Sequence, residues 1–470
     1  MSASILDDMA AIVGPRNIVT DADAMVPYLK EWRDLFRGKA QAVVRPGSTA
    51  EVSELVKLAA RTGTRLVPQG GNTGLVGGQI PTAEGREIIL SLQRMDKVRA
   101  VDAQSDTMTV EAGLSLQKAQ AAAEAAGRLF PLSLASEGSC TIGGNLATNA
   151  GGTAVLAYGN ARELCMGLEV VLADGRIWNG LRQLRKDNTG YDLKNLFIGS
   201  EGTLGIITAA VLKLFPLPAA RATAFLAVPG PDEALALLNA AKAGAGGTLT
   251  TFEIMPRIGL DFVLRHASGT RDPLSGPSPW YVLMEVSAQS ATGLDEAVAA
   301  FLGDAMEQGL VTDAALAGSL TQRADFWKLR EMLSEVQTYE GGSIKHDVSV
   351  PLHAVPEFLT RATAAVEAMV PGCRALPFGH MGDGNIHFNV SQPIGADKAA
   401  FLAGWSAMNE AVHAIVSELH GSISAEHGIG RLKRDLLPGV KDAVELDLMK
   451  TLKTTLDPQG ILNPGAVLQI

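Results

Sequence analysis

The sequence predicts an α+β protein of several domains, and three observations carry that prediction. At 470 residues the chain is long enough for two to four domains at roughly 100–200 residues each. A strand-rich N-terminal stretch carries three glycine clusters, at 68–74, 139–152 and 199–205. After Pro216 and Pro218 the composition turns alanine-rich, and two strand–helix–strand units follow one another.

In chain order, residues 41–46 read as a short strand ending at a proline, 53–61 as a helix, and 65–68 as a strand running into the first glycine cluster. Alternation and β-branched residues mark further strands at 88–92, 108–112, 168–172 and 204–208. The first unit after the prolines is strand 224–228, helix 231–243, strand 249–254; the second is strand 281–287, helix 294–308, strand 310–313. Such units predict helices on one face of a sheet. A helix at 325–337, a strand at 346–350 and helices at 355–370 and 399–419 complete this domain. Residues 424–470 return to glycine-rich loop plus one helix. The expected domains are 1–215 (two subdomains, split near 100), 216–420, and a C-terminal segment 421–470.

Composition narrows the function classes. The chain is 47% hydrophobic and 19% charged, ordinary values for a soluble globular protein. A net charge of −10, with no basic stripe longer than Arg431–Arg434, argues against nucleic acid. No run of ~18 apolar residues is present, so no bilayer span is expected. The start, Met1-Ser-Ala-Ser-Ile-Leu-Asp-Asp, is acidic where an export leader is basic. Cys140, Cys165 and Cys373 are odd in number and unpatterned, which suits a reducing compartment. Together these features lead us to expect a cytoplasmic protein.

Glycine is the outlier, at 50 residues, or about 11% against the usual ~7%. The clusters Pro68-Gln-Gly-Gly-Asn-Thr-Gly74, Ser139-Cys-Thr-Ile-Gly-Gly-Asn-Leu-Ala-Thr-Asn-Ala-Gly-Gly152 and Gly199-Ser-Glu-Gly-Thr-Leu-Gly205 mix glycine with Ser, Thr and Asn. Glycine lets backbone N–H groups approach a phosphate, and small polar side chains add hydrogen bonds. Tight turns account equally well for any one cluster, but less well for three of like composition. None is a G-x-G-x-x-G opening a helix or a G-x-x-x-x-G-K-[ST], so nicotinamide and ATP lose their signatures.

The sharpest chemical signal is Phe378-Gly-His-Met-Gly-Asp-Gly-Asn-Ile-His-Phe-Asn389. If Asp383-Gly384 is a two-residue hairpin turn, 380 pairs with 387 and both imidazoles share a face. Ala425-Glu-His-Gly428 can add a carboxylate and a third imidazole, and His₂Glu with an open position is a catalytic zinc set. His-x₆-His alone fits a metal-free polar loop better; the second site, together with the family resemblance given next, reverses that balance.

These motifs, together with Asn188-Thr-Gly-Tyr-Asp-Leu193 and the closing Asn463-Pro-Gly465, resemble the vanillyl-alcohol oxidase / p-cresol methylhydroxylase (PCMH-type) flavoproteins. The chain is most similar to their D-2-hydroxyacid dehydrogenase branch, which contains D-2-hydroxyglutarate and flavin-dependent D-lactate dehydrogenases. The resemblance spans essentially the whole chain. It implies a two-subdomain FAD-binding domain and an α+β cap domain with an antiparallel sheet. It places the pyrophosphate on Gly70, Gly71, Asn72, Thr73 and Gly74, beside Pro68. Ser136, Gly138, Thr141, Gly144, Asn145, Thr148, Gly151 and Ile206 would line the adenosine and flavin, with Glu201, Gly202 and Asn463 also assigned to the cofactor. Covalent relatives often carry a histidine in or beside the first cluster, which here has neither His nor Cys, so non-covalent FAD is expected. The branch also implies Zn²⁺ or another divalent metal on His380, His387 and Glu426, leaving His427 as general base.

A 2-hydroxy acid needs cationic partners. On a helix over 325–337, Arg330 and Ser334 are i,i+4 and share a face, and Lys345 follows on the next strand. Arg-x₃-Ser-x₁₀-Lys matches the branch's substrate-holding Arg, Thr and Lys, with serine in place of threonine; Asn389 and His427 join the set by the same resemblance. The resulting expectation is FAD- and metal-dependent oxidation of a D-2-hydroxy acid, D-2-hydroxyglutarate first and D-lactate or D-malate next. A glycolate-type FAD oxidase and a non-catalytic partner subunit are the alternatives. Electron-transfer flavoprotein or a quinone is the implied acceptor, and a homodimer is compatible with the sequence.

Overall fold

The computed structural model describes residues 5–469; residues 1–4, on which part of the leader argument rests, lie outside the described residues. The chain forms two compact units, one of Met1–Gly151, Gly159–Leu217 and Glu426–Ile470, the other of Gly152–Tyr158 and Pro218–Ala425. The boundaries thus fall at 217 and 425, where 215 and 420 were expected, and a short insert of seven residues joins the second unit.

Among the described residues the first unit contains two main sheets and a short pairing of Arg128–Leu129 with Phe215–Pro216. The smaller runs Ile18–Val19, Ala40–Val44, Glu87–Ser91, Leu66–Gln69, and its last three strands are parallel. The crossover helix between parallel strands is Thr49–Thr62. Ser48 caps it by accepting the Glu51 N–H, and Gly63, at φ +67°, ends it. The larger sheet is antiparallel, in the order Val98–Asp102, Thr107–Glu111, Ile206–Lys213, Cys165–Val171, Ile177–Gly180. The two subdomains therefore divide between 91 and 98. The C-terminal segment comes back to the smaller sheet, where the Leu66 N–H bonds the Ile461 carbonyl and the Asn463 N–H bonds that of Leu66, both at 2.8 Å.

The second unit is built on seven antiparallel strands, ordered Asp313–Leu316, Ala220–Val228, Trp280–Ala288, Thr248–Pro256, Arg374–His380, Asn385–Ser391, Ser343–Ser349. Helices cover both faces, which corrects the one-face expectation. Pro231–Gly244, Leu294–Glu307, Val355–Met369 and Trp405–Glu418 bury one face in the larger core. Arg257–His266 and Leu320–Glu331 pack a second core on the other. That second layer was not foreseen, because a strand buried on both faces shows no polar alternation.

Other boundaries also move. The edge strand is Asp313–Leu316 rather than 310–313. The helix expected at 399–419 is two, Lys398–Ala403 and Trp405–Glu418, meeting at Gly404, a residue of poor helix propensity. The helix expected at 325–337 is Leu320–Glu331 followed by a single turn, Leu333–Val336.

Candidate functional site

In the first unit the glycine clusters meet as backbone against backbone. A Cβ on Gly70 would lie 2.2 Å from Thr141 Oγ1, and one on Gly71 only 1.8 Å from the Ser139 carbonyl oxygen. At Gly71, where the obstacle is backbone, no side chain fits. Thr141 caps the short helix Ile142–Ala147 by accepting the Gly144 N–H, and Thr148 donates to the Gly144 carbonyl at 3.2 Å. Asn72, at φ +57°, donates its amide to the Pro27 and Lys30 carbonyls, while its Oδ1 and Gln69 Oε1 are buried without a partner. A Cβ on Gly202 of the third cluster would meet Pro68 Cγ at 3.0 Å, and one on Gly151 would meet Glu426 Oε1 at 2.8 Å. Thr73 and Ser136 are half-buried, Gly138 is exposed, and Asn145 is buried. A cradle closed to side chains with buried polar atoms beside it fits a dinucleotide. Burial pushes the Cys140 and Cys165 thiols up, the latter to about 12, so neither forms a ready nucleophile.

Other residues assigned to the cofactor face inward. Ile206 begins a central strand and is buried. Glu201, at φ +51°, accepts the Ile429 N–H at 2.7 Å and the Gly430 N–H at 2.9 Å. Asn463 Nδ2 donates to the Glu201 carbonyl at 2.7 Å. These bonds fix the third cluster to the segment carrying Glu426 and His427. Burial pushes the Glu201 carboxyl up to about 7 although the two N–H donors and Lys433 oppose it. The folded state therefore keeps a proton that the unfolded chain releases above its ordinary value. Below that value Glu201 leaves stability unchanged; as pH rises toward 7 it removes stability by at most about 1.4 kcal/mol per unit. Glu201→Gln should flatten the melting-temperature profile between about pH 5 and 7. Parallel profiles for the two proteins would refute this.

In the second unit one face of the sheet gathers the polar residues. Along Asn385–Ser391, Ile386, Phe388 and Val390 enter the larger core, which turns Asn385, His387 and Asn389 to the opposite face. The hairpin register departs from expectation: 380 pairs with 385 and 378 with 387, so four residues turn the chain rather than two. A two-residue type I′ turn needs positive φ at both central positions. Gly384 has it, at +81°, and Asp383 does not; its carboxylate instead accepts the Asn385 N–H at 3.1 Å. The shift of two residues preserves the face, so His380 and His387 become diagonal neighbours with ring centroids 5.4 Å apart at 80°.

His380 faces Glu253 across the neighbouring strand. Its Nδ1 donates to Glu253 Oε1 at 2.6 Å, and Arg330 Nε donates to Oε2 at 2.7 Å. Burial pushes the Glu253 carboxyl up, but the charges and hydrogen bonds of His380 and Arg330 outweigh it and hold it at about 2. Asp347 lies opposite His387, with Oδ1 3.8 Å from its Nδ1. The Ala425 N–H bonds the Asp347 carbonyl at 3.4 Å, and Glu426 and His427 follow along the chain as the first residues of the returning segment. Paired imidazoles, one of them backed by a carboxylate, fit a divalent metal such as zinc.

Arg330 is buried at the end of its helix, its guanidinium 4.7 Å from the Phe378 ring centre. Among the described residues its two terminal nitrogens make no hydrogen bond. Ser334 is exposed on the next turn, so the two do not share one continuous helix. Lys345 donates to the Ser334 carbonyl at 3.4 Å and pairs across the strands with Asn389. Sequence reasoning missed Glu253. The available signal was a lone carboxylate between Phe252 and Ile254 in an apolar strand, since a buried charge requires a partner.

Residues 217–467 match the family described as FAD linked oxidases, C-terminal domain, and residues 40–180 match an FAD binding domain. The chain is 40% identical over 465 residues to the mitochondrial D-2-hydroxyglutarate dehydrogenase of Bos taurus, covering 98% of this chain and 83% of that protein. It is 38% identical over 442 residues to the D-2-hydroxyglutarate dehydrogenase of Xanthomonas citri pv. viticola, covering 94% and 92%. The structure of p-cresol methylhydroxylase with substrate bound shares the fold at a TM-score of 0.75 and 16% identity, covering 98% of this chain and 96% of that one.

Proposed function

The chain belongs to the FAD-linked oxidase family, and on that premise we propose that this oxidoreductase converts D-2-hydroxyglutarate to the 2-oxo acid. The observation that carries the proposal is the polar sheet face of the second unit. It joins two neighbouring imidazoles to a guanidinium whose terminal nitrogens make no hydrogen bond among the described residues. FAD, when bound, supplies the acceptor for a hydride equivalent from substrate C2. A divalent ion on His380, His387 and Glu426 would supply Lewis-acid polarisation of the hydroxyl. Arg330 offers a substrate carboxylate the parallel donors of its fork. Lys345 adds a second cation and Asn389 a neutral hydrogen-bond partner. His427, as the general base, takes the hydroxyl proton. Electrons pass on to an electron-transfer flavoprotein or a quinone.

Arg330 also distinguishes the dicarboxylate from D-lactate. If it grips the distal carboxylate, Arg330→Ala should lose about 1.5–3 kcal/mol of binding, a roughly 10- to 150-fold fall in kcat/KM for D-2-hydroxyglutarate. D-lactate, which lacks that group, should be little affected. The readout is a ratio, so partial damage to the fold does not imitate it. Equal losses on both substrates in an enzyme that prefers D-lactate would overturn the dicarboxylate assignment.

A further inference from the structure

We infer that Glu253 is a positioning residue that couples the metal-binding imidazole of His380 to the substrate-gripping guanidinium of Arg330. The inference deepens the function proposed above and rests on it, since it takes His380 as a metal ligand and Arg330 as a carboxylate clamp.

Glu253 lies in the middle of the seven-stranded sheet, with Leu283 as its cross-strand partner on one side and His380 on the other. It is fully buried, so its carboxylate cannot exchange partners with water. Each oxygen serves one donor: Oε1 accepts His380 Nδ1 at 2.6 Å and Oε2 accepts Arg330 Nε at 2.7 Å. With Nδ1 held, Nε2 is the nitrogen that would meet an ion, and a carboxylate behind a ligating imidazole fixes its tautomer and raises its basicity. With Nε held and the Phe378 ring against the guanidinium, the edge bearing the two terminal nitrogens keeps one orientation. The two binding groups thus share one rigid reference point.

Docking of the helix Leu320–Glu331 is the competing explanation, and a neighbouring carboxylate shows what docking looks like. Glu285 takes Arg323 through both oxygens, at 3.0 and 3.1 Å, together with Trp327 Nε1 and the Thr223 hydroxyl. That two-pronged clamp already fastens the helix to the sheet. Glu253 instead gives the helix a single bond and its other oxygen to His380. A buried ion pair is also a poor way to gain stability, since apolar residues of like volume do as well or better.

The test uses FAD-loaded protein stripped of metal. Zinc is titrated against a chromophoric chelator, the cobalt-loaded protein is examined by visible absorption, and KM is measured for D-2-hydroxyglutarate. Glu253→Gln should weaken zinc binding about 10- to 100-fold, shift the cobalt d–d bands and raise KM together. Glu253→Asp keeps the charge but, one methylene shorter, cannot reach both donors; it should show the same joint loss and serves where Gln prevents folding. A lowered melting temperature with zinc affinity and cobalt spectrum unchanged would reduce Glu253 to a helix-docking residue and overturn the inference. Wild-type protein that binds neither ion would instead overturn the site on which the inference rests.

Discussion

Gly71→Ala is expected to yield protein that no longer retains FAD. The added carbon would lie 1.8 Å from the Ser139 carbonyl oxygen, 2.8 Å from its carbon and 3.1 Å from Cys140 Cα. All three are backbone atoms, so no rotamer change relieves the clash. The first cluster has to separate from the second, and the close approach that suits a pyrophosphate is lost. Gly244, at a helix end where an added methyl would meet nothing within 4 Å, is the matched control. After gel filtration, the flavin-to-protein absorbance ratio should fall to near zero for Gly71→Ala and stay at the wild-type value for Gly244→Ala. A Gly71→Ala protein with full flavin and an unchanged melting temperature would refute the cradle.

Removal of divalent metal is expected to abolish turnover and leave FAD bound. His380 and His387 belong to the sheet of the second unit, whereas the glycine clusters through residue 151 belong to the first. Lewis-acid polarisation contributes several kcal/mol, and about 3–5 kcal/mol corresponds to roughly 10²- to 10⁴-fold in rate. Chelated protein should therefore keep about 1% of its activity or less. Zinc, cobalt or manganese should restore it, because a His₂Glu set suits several such ions. His387→Ala should behave like the chelated protein and resist restoration. Full activity in protein shown by elemental analysis to be metal-free would refute the metal's role.

The sequence by itself determined the local chemistry. Glycine clusters at strand ends, His380 and His387 beside an Asp-Gly pair, and the Arg330, Ser334 and Lys345 spacing are composition and order, legible without coordinates. So was the shared face of the two histidines, because a register shift of two residues preserves the side on which a strand residue points. The tertiary structure alone decided which groups across the sheet meet. Glu253 and His380 are 127 residues apart, and no local pattern pairs them; only the order of the strands does. The four-residue turn also followed from context, as Gly384 packs where a Cβ would lie 2.2 Å from the Val350 carbonyl oxygen. Glu201 shows the same limit: its place in a glycine cluster pointed to the cofactor, while its carboxylate binds the backbone of residues 429 and 430. A side chain's type follows from the sequence, but the partner that satisfies a buried charge is set by long-range packing.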